Sequence, residues 1–326
     1  MEISYIIISY NSEKHIGKCI NSILNQSHKD YEIIIRDNNS SDGTKQMIQN
    51  FCTQNRQIQL ITGPNIGYAP AIMHAVKSSK GEFLAILNAD AYLDSNWAQE
   101  MLSDFRKDEK IMSASGTILF PNGELQSSGG MMDKYGAIVQ RGSKIFNARG
   151  IRENNFFYND GSSFMLRRKV LDEVTFAHKL FLYYEDVDLS WQIRMSRHKI
   201  GYVKNAISYH DAGQSMSDMT LFKFYYITRN RLYVCLKNYS IKNILTRIPV
   251  IVSLLLINSI IYDVSKKEKG YVINFLKAMS WNISNSLYII KERKKSRGIN
   301  KISDKELDHY LVQNSIEFLL LTGKPI

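Results

Sequence analysis

Three cysteines among 326 residues, Cys19, Cys52 and Cys235, stand far apart and form no Cys-x-x-Cys or Cys/His cluster. That spacing excludes a disulfide framework or structural zinc and points to a reducing compartment. No Gly-x-Gly-x-x-Gly follows the first apolar strand, which argues against a dehydrogenase. No RNP-like box interleaves aromatic and basic residues, so nucleic acid is not an expected partner. The opening Met1-Glu2-Ile3 lacks the basic region and cleavage site of a signal peptide. The longest charge-free apolar run, Ile248 to Tyr262, is interrupted by Ser253, Asn258 and Ser259. It falls short of the ~20 residues that cross a bilayer, and reads as a buried core helix or a segment lying in the interface. A cytoplasmic protein is expected. No internal repeat or low-complexity segment is found.

What is present is the balance of an ordinary globular protein, 44% hydrophobic and 22% charged. The length allows one large domain, or a domain plus an appendage. The formal net charge of +11 suits anionic partners such as phospholipid headgroups or nucleotide diphosphates. Much of the excess lies late, in Lys266-Lys267-Glu268-Lys269 and Lys291-Glu292-Arg293-Lys294-Lys295-Ser296-Arg297. A solvated basic helix face explains those runs equally well.

Ile3 to Ser9 is a continuous β-branched run, as in a strand covered on both faces. A helix over 14–26 follows, with Ile16, Cys19, Ile20, Ile23 and Leu24 as its apolar stripe. Strands at Tyr31–Arg36, Ile58–Ile61 and Phe83–Leu87 alternate with helices from Thr44 and over Ala69–Ser78. This β-α-β-α-β-α-β order predicts an α/β fold with a mostly parallel central sheet flanked by helices. Ligands of such sheets bind at the carboxyl ends of the strands. A helix near 95–107, strands near 111–119 and 137–140, and a carboxylate-rich helix over 183–195 complete the first part. From residue 218 the chain reads as a helical, basic C-terminal region, so the boundary is set between 1–217 and 218–326.

Four constellations carry chemistry. Tyr10-Asn11 with Asp37 and Asp42 ends two strands, where a carboxylate can hold a nucleobase imide or a ribose hydroxyl. Asp, Asn, Ser and Gly also favour such bends for their own sake. Asn88-Ala89-Asp90 ends the fourth strand, and its carboxylate suits either a divalent cation bridging two phosphates or a turn. Glu185-Asp186-Val187-Asp188 places three carboxylates in four residues. Placement at a helix N-terminus stabilises each by about 0.3–1 kcal/mol. Their repulsion also raises one member's proton affinity, as a general base requires. His210, in Tyr209-His210-Asp211-Ala212-Gly213-Gln214-Ser215, is a structural imidazole or the completion of a metal shell.

In this order and spacing the chain resembles the family 2 glycosyltransferases, specifically their rhamnosyltransferase-like, non-processive members. The resemblance covers roughly residues 2–215. It rests on Ser9-Tyr10-Asn11, Asp37-Asn38-Asn39-Ser40-Ser41-Asp42-Gly43-Thr44, Asn65-Ile66-Gly67-Tyr68-Ala69, Asn88-Ala89-Asp90, Gly161-Ser162-Ser163-Phe164-Met165-Leu166-Arg167-Arg168 and Tyr184-Glu185-Asp186-Val187-Asp188-Leu189 with His210. It implies a GT-A fold, a nucleotide-diphosphate sugar donor such as dTDP-rhamnose or a UDP-sugar, and inverting transfer supported by Mn²⁺ or Mg²⁺. Tyr10, Asn11 and Asp37 would hold the nucleoside, with Asp42, Asn65, Gly67 and Asn88 on the same nucleotide side. Asp90 and His210 would bind the metal, and Gly161 and Ser162 would line the sugar and acceptor side. Asp186 would be the base, with Glu185 as the rival assignment. Trp191 and Arg194 would touch the acceptor or pack.

Three departures stand out. Asn88 occupies the first acidic position and is a weaker, neutral ligand, so metal binding leans on His210. Ala89 stands where many relatives carry Pro, and His74 where relatives often have Asn. The Gln, Arg and Trp of processive enzymes are missing after the base, so one sugar is expected per encounter. The acceptor would be a glycan or lipid-linked glycan, in cell-envelope polysaccharide synthesis. The C-terminal helices would rest on the inner, anionic face of the cell membrane, which suits a peripheral membrane protein, or pack against the catalytic domain or a second subunit. The rival readings are a sugar nucleotidyltransferase and a catalytically silent nucleotide-sugar-binding protein. The former should carry a Gly-rich, Arg/Lys-bearing loop after strand one, and Tyr10-Asn11-Ser12-Glu13 is not one.

Overall fold

The computed structural model describes residues 1–142, 156–211 and 219–317. Its elements run β1 (Ile3–Ser9), α1 (Ile16–Leu24), β2 (Tyr31–Asp37), α2 (Thr44–Gln54), β3 (Ile58–Thr62), α3 (Tyr68–Val76), β4 (Phe83–Asn88), β5 (Ala91–Leu93) and α4 (Trp97–Lys107). There follow β6 (Ile111–Leu119), β7 (Leu125–Ser127), β8 (Gly130–Met132), β9 (Ile138–Gln140), β10 (Ser163–Arg167), α5 (Glu185–Met195) and β11 (Lys199–His210). The helices α6 (Leu221–Asn238), α7 (Ile241–Ser265), α8 (Tyr271–Ser284), α9 (Ser286–Gly298) and α10 (Asp304–Tyr310) close the chain.

The main sheet has the order β3-β2-β1-β4-β10-β6-β11-β5. Its first four strands are parallel, each return passing through a helix, as the alternating pattern predicts. Beyond β4 the sheet becomes mixed, yet β6 and β11 run the same way as the first four strands, so the expected mostly parallel sheet holds, with β5, β7 and β10 running against it. β10 runs antiparallel to both β4 and β6, β11 returns parallel to β6, and β5 pairs antiparallel with β11. Such reversals need no crossover helix, which is why the helical periodicity fades after residue 107.

This arrangement gathers polar chain at one edge. β1, β2, β4 and β11 all end there, while antiparallel β10 begins there, with Ser163 opposite Leu87. The dipeptide Gly161-Ser162 thus meets Asn88 and His210 from the opposite chain direction.

β1 alternates its side chains between two apolar layers. Ile3, Tyr5 and Ile7 pack with the stripe of α1 and with Trp97, Met101 and Phe105 of α4. Ile6 and Ile8 face a second layer containing Ala71, Ile72 and Ala75 of α3. That layer continues without interruption through Trp191 of α5 into Tyr233, Ile251, Leu255 and Phe275 of α6, α7 and α8. The C-terminal helices therefore share the catalytic half's core; the expected boundary at 217/218 lies outside the described residues.

α7 corrects the sequence reading. It spans 25 residues, because Ile241 to Arg247 join the apolar run, and is long and apolar enough to cross a membrane by length and composition. Only 17% of its most apolar stretch is buried, so it is not a buried core helix either.

A buried ion pair pins α6 to α5. Lys237 Nζ donates to Asp188 Oδ2 at 2.6 Å, with Asn238 Nδ2 on Oδ1 at 2.8 Å and Gln192 Nε2 on Oδ2 at 3.1 Å. Both charges lie in the core. Removing one partner strands the other in a low dielectric. Lys237→Met is expected to lower unfolding free energy by about 3–5 kcal/mol, with Asp188→Asn added in the same chain restoring part of the loss. Urea unfolding checks both; a cost below about 1 kcal/mol, as for a surface pair, would contradict a buried Lys237–Asp188 pair.

Candidate active site

At the nucleotide edge, Asp37 is buried at the end of β2. Its carboxylate accepts from Ser40 Oγ at 2.5 Å, Ser40 N at 3.1 Å and Ser9 Oγ at 3.3 Å. Asn11 is left-handed, φ 48°, a conformation Asn tolerates. Its Oδ1 accepts from Ser41 N at 2.8 Å and its backbone N–H donates to Ser40 Oγ at 2.9 Å. The loops after β1 and β2 are thus tied together, beside an exposed Tyr10 ring.

Asp42 is engaged in the turn leading into α2. Although partial burial opposes it, hydrogen bonds from Thr44 Oγ1, Thr44 N and Glu13 N hold its carboxyl below the ordinary range. Asn65 Oδ1 accepts from Gly67 N at 3.0 Å, and Gly67 sits at φ 88°. A side chain at Gly67 would come within 2.8 Å of the Phe181 backbone. Asn65 and Gly67 thereby seat Tyr68, whose N–H donates to Phe181 O at 2.6 Å.

A cavity of about 220 Å³ opens beside these loops, lined among others by Tyr68, Asn88, Gly161, Ser162, Glu185, Asp186 and His210. Tyr10, Asn11, Asp37, Asp42, Asn65 and Gly67 stand outside its lining.

On one wall, β11 pairs with β5 so that His210 opposes Ala91, which sets its ring against Asp90. His210 Nε2 lies 3.2 Å from Asp90 Oδ1, and Nδ1 lies 3.1 Å from Gln126 Nε2. Burial alone would lower the imidazole's proton affinity, but the hydrogen bond and charge of Asp90, with Asp160 behind, raise it overall. Among the described residues no group of three or more His, Cys, Asp or Glu side chains forms a ready-made cation cage.

On the facing wall, α5 begins with Glu185 and Asp186 immediately after two left-handed residues, Tyr183 at φ 68° and Tyr184 at φ 71°. Each costs of order 1–3 kcal/mol and persists only when its surroundings hold it. Here Asn230 Nδ2 of α6 donates to Leu182 O at 2.7 Å and Tyr183 O at 2.8 Å, while Tyr184 Oη donates to Gly136 O at 2.9 Å. Asp186 Oδ2 accepts from Gly161 N at 2.9 Å and Oδ1 from Val187 N at 2.8 Å. A Cβ on Gly161 would sit 3.0 Å from Asp186 Oδ2, so glycine permits the approach.

Both carboxyls hold their protons more tightly than usual. Burial raises Glu185, with Asp186's charge adding to it; burial raises Asp186, with Asp160's charge adding. The pair differs in tethering. Glu185 Oε2 is buried with no hydrogen-bond partner among the described residues, whereas two backbone N–H groups favour the ionised form of Asp186. Of the two, Asp186 is the one whose ionised form the backbone supports.

Trp191 and Arg194 are not in the cavity. Trp191 is fully buried, edge-on to Phe157 and Tyr239. Arg194 donates to Phe157 O at 2.8 Å and Phe156 O at 2.6 Å and lies over the Tyr310 ring. The helical turn that aims Glu185 and Asp186 at the cavity carries both residues inward, so of the two readings packing applies. Asp160 and Gln140 of the lining, bonded at 2.8 Å, and the supports Asn230 and Lys237 were not anticipated. Buried polar residues within an apolar helix are the one sequence signal that α6 offered.

A family described as Glycosyl transferase family 2 matches residues 4–175. The chain is 32% identical over 106 residues to the chondroitin synthase of Escherichia coli, covering 32% of this chain and 16% of that protein. It is 23% identical over 214 residues to the poly-β-1,6-N-acetyl-D-glucosamine synthase of Staphylococcus epidermidis, covering 63% and 48%. This chain therefore spans less than half the length of these two relatives. Among solved structures, S. aureus TarS 1–349 in complex with UDP-GlcNAc superposes with a TM-score of 0.57 at 14% identity, covering 99% of this chain and 93% of that one. The mannosyltransferase PcManGT of Pyrobaculum calidifontis in complex with GDP-Man and Mn²⁺ gives 0.55 at 14% identity, covering 99% and 88%. The fold is the GT-A fold, and on the breadth of the family match the chain belongs to glycosyl transferase family 2.

Proposed function

We propose that this chain transfers one sugar, with inversion, from a nucleotide-diphosphate sugar to a hydroxyl of a glycan or lipid-linked glycan during cell-surface polysaccharide synthesis. One observation carries the reading: a single cavity has His210, backed by Asp90, on one wall and the Glu185–Asp186 pair on the other. The base sequence of loops after β1 and β2 supports a nucleoside seat at Tyr10, Asn11 and Asp37, with Asp42, Asn65 and Gly67 shaping it. A UDP-sugar or dTDP-rhamnose is the favoured donor, in keeping with the rhamnosyltransferase-like resemblance and the UDP-GlcNAc bound by TarS.

Asp90 and His210 offer one carboxylate oxygen and one imidazole nitrogen. Asp90 and His210 would hold Mn²⁺ or Mg²⁺ through these two atoms. The Mn²⁺ bound by PcManGT supports the same choice. A divalent ion there supplies positive charge against the departing diphosphate. Asn88 presents a neutral amide beside it.

Asp186 takes the acceptor hydroxyl proton as that oxygen attacks the anomeric carbon from the face opposite the diphosphate. The Gly161 N–H fixes the carboxylate's direction. Thirteen of the eighteen large apolar side chains exposed among the described residues lie within 241–290, next to the late lysine runs. This supports a peripheral position on the inner face of the membrane, where a lipid-linked acceptor resides.

Asp186→Asn is expected to lower turnover by ~10²–10⁴-fold while nucleotide binding, followed by calorimetry, changes little. Near-normal turnover would remove Asp186 from the base role. Because only the ionised carboxylate accepts a proton and its proton affinity is raised, kcat/KM should climb with pH on a limb centred well above the ~4 of an ordinary aspartate. A rate already flat from about pH 5 upward would contradict this. Chelator should abolish transfer and Mn²⁺ or Mg²⁺ restore it; undiminished transfer in chelator would take Asp90 and His210 out of the metal role.

A further inference from the structure

A second cavity, of about 250 Å³, adjoins the catalytic one and shares Ile138, Tyr184 and Ile227 with it. Its outer walls are Arg231 of α6, Asn258 and Tyr262 of α7, and Glu317. Of the motifs singled out in the sequence only Tyr184 reaches it, and most of its lining lies beyond residues 4–175, the stretch matched by the family.

Its polar wall is incomplete in a particular way. Arg231 is 2% exposed. Its Nε donates to Tyr135 O at 2.9 Å and its Nη1 to Glu317 Oε1 at 2.7 Å, an oxygen that also accepts from Asn258 Nδ2 at 2.6 Å. Arg231 Nη2 and Glu317 Oε2, both buried, have no hydrogen-bond partner among the described residues. Buried polar atoms are almost always paired, and this unpaired donor and acceptor belong to two residues of the cavity lining, a pair that suits a group able both to accept and to donate. A hydroxyl accepts from the guanidinium and donates to the carboxylate. The two charges offset one another, which disfavours a phosphate or a carboxylate as the occupant. Ile138, Ile227 and the ring of Tyr262, in the same lining, supply an apolar surface suited to the C–H face of a pyranose.

We infer that this cavity is an acceptor subsite that holds an uncharged pyranose unit of the acceptor glycan, next to the unit whose hydroxyl faces Asp186. The inference rests on the glycosyltransferase reading of the adjoining cavity and adds the acceptor's position and class to it. Arg231 and Glu317 are the recognising pair, and Tyr262 the platform.

The full chain is tested against methyl glucoside, galactoside, rhamnoside and N-acetylglucosaminide by saturation-transfer NMR. In parallel, UDP-, dTDP- and GDP-sugars with Mn²⁺ are tested by thermal shift. At least one pyranoside is expected to bind, with its affinity falling tenfold or more in Arg231→Met and in Glu317→Leu, while the shift caused by the nucleotide sugar is unchanged in both. Arg231 is deeply packed, so Tyr262→Ala serves as the independent variant, and it should weaken the same pyranoside without moving the nucleotide-sugar response. A chain that responds to a nucleotide sugar but binds none of the four pyranosides, or binds them equally after Glu317→Leu and Tyr262→Ala, overturns the subsite and leaves the donor reading standing. A chain that responds to no nucleotide sugar overturns the donor reading and the subsite with it.

Discussion

The backbone N–H of Gly161 reaches Asp186 Oδ2 at 2.9 Å, and this bond joins the polar edge of the sheet to the first turn of α5. It exists because β10 runs against its neighbours and so begins, rather than ends, at the edge where β1, β4 and β11 terminate. It also requires glycine, since a Cβ would press within 3.0 Å of the same oxygen. Reversal of one strand thus places a backbone donor against a buried carboxylate, and a donor there favours that carboxylate's ionised form.

The second requirement is rigidity behind that pair. Tyr183 and Tyr184 occupy left-handed conformations that a short loop would not hold unaided. α6 holds them: Asn230 takes two carbonyls of the loop, and Lys237 with Asn238 neutralises Asp188 one turn further along α5. The helix α6 therefore backs the Glu185–Asp186 side of the candidate site. This accounts for the single apolar layer that runs from the sheet into α8.

The first half of the fold was legible because parallel strands buried on both faces, such as Ile3 to Ser9, carry an unmistakable apolar run and their helices a clear stripe. The mixed half was not, since antiparallel returns such as β6 to β7 are short and leave no period to read. At the site, Asn88, Glu185, Asp186 and His210 were each recognisable by type and position, and they share one cavity. For Trp191 and Arg194 the sequence left acceptor contact and packing both open, because helical spacing from Asp186 gives a face but not its direction, and both side chains pack in the core. α7 was underestimated because a run was counted between charges, whereas a helix tolerates Lys242 and Arg247 at one end.

By itself, the sequence determined the residue types at the strand ends and the alternation that builds a sheet with polar loops along one edge. Both follow from local chemistry: β-branched burial on one hand, and turn-forming or acidic residues on the other. Only the tertiary structure decided which carboxylate is tethered, that Asp90 meets His210, and that α6 stands behind the acidic pair. Those outcomes depend on strand direction and on contacts such as the 48 residues separating Asn230 from Leu182. Distance in space is set there by the packing of whole elements, and no local pattern encodes it.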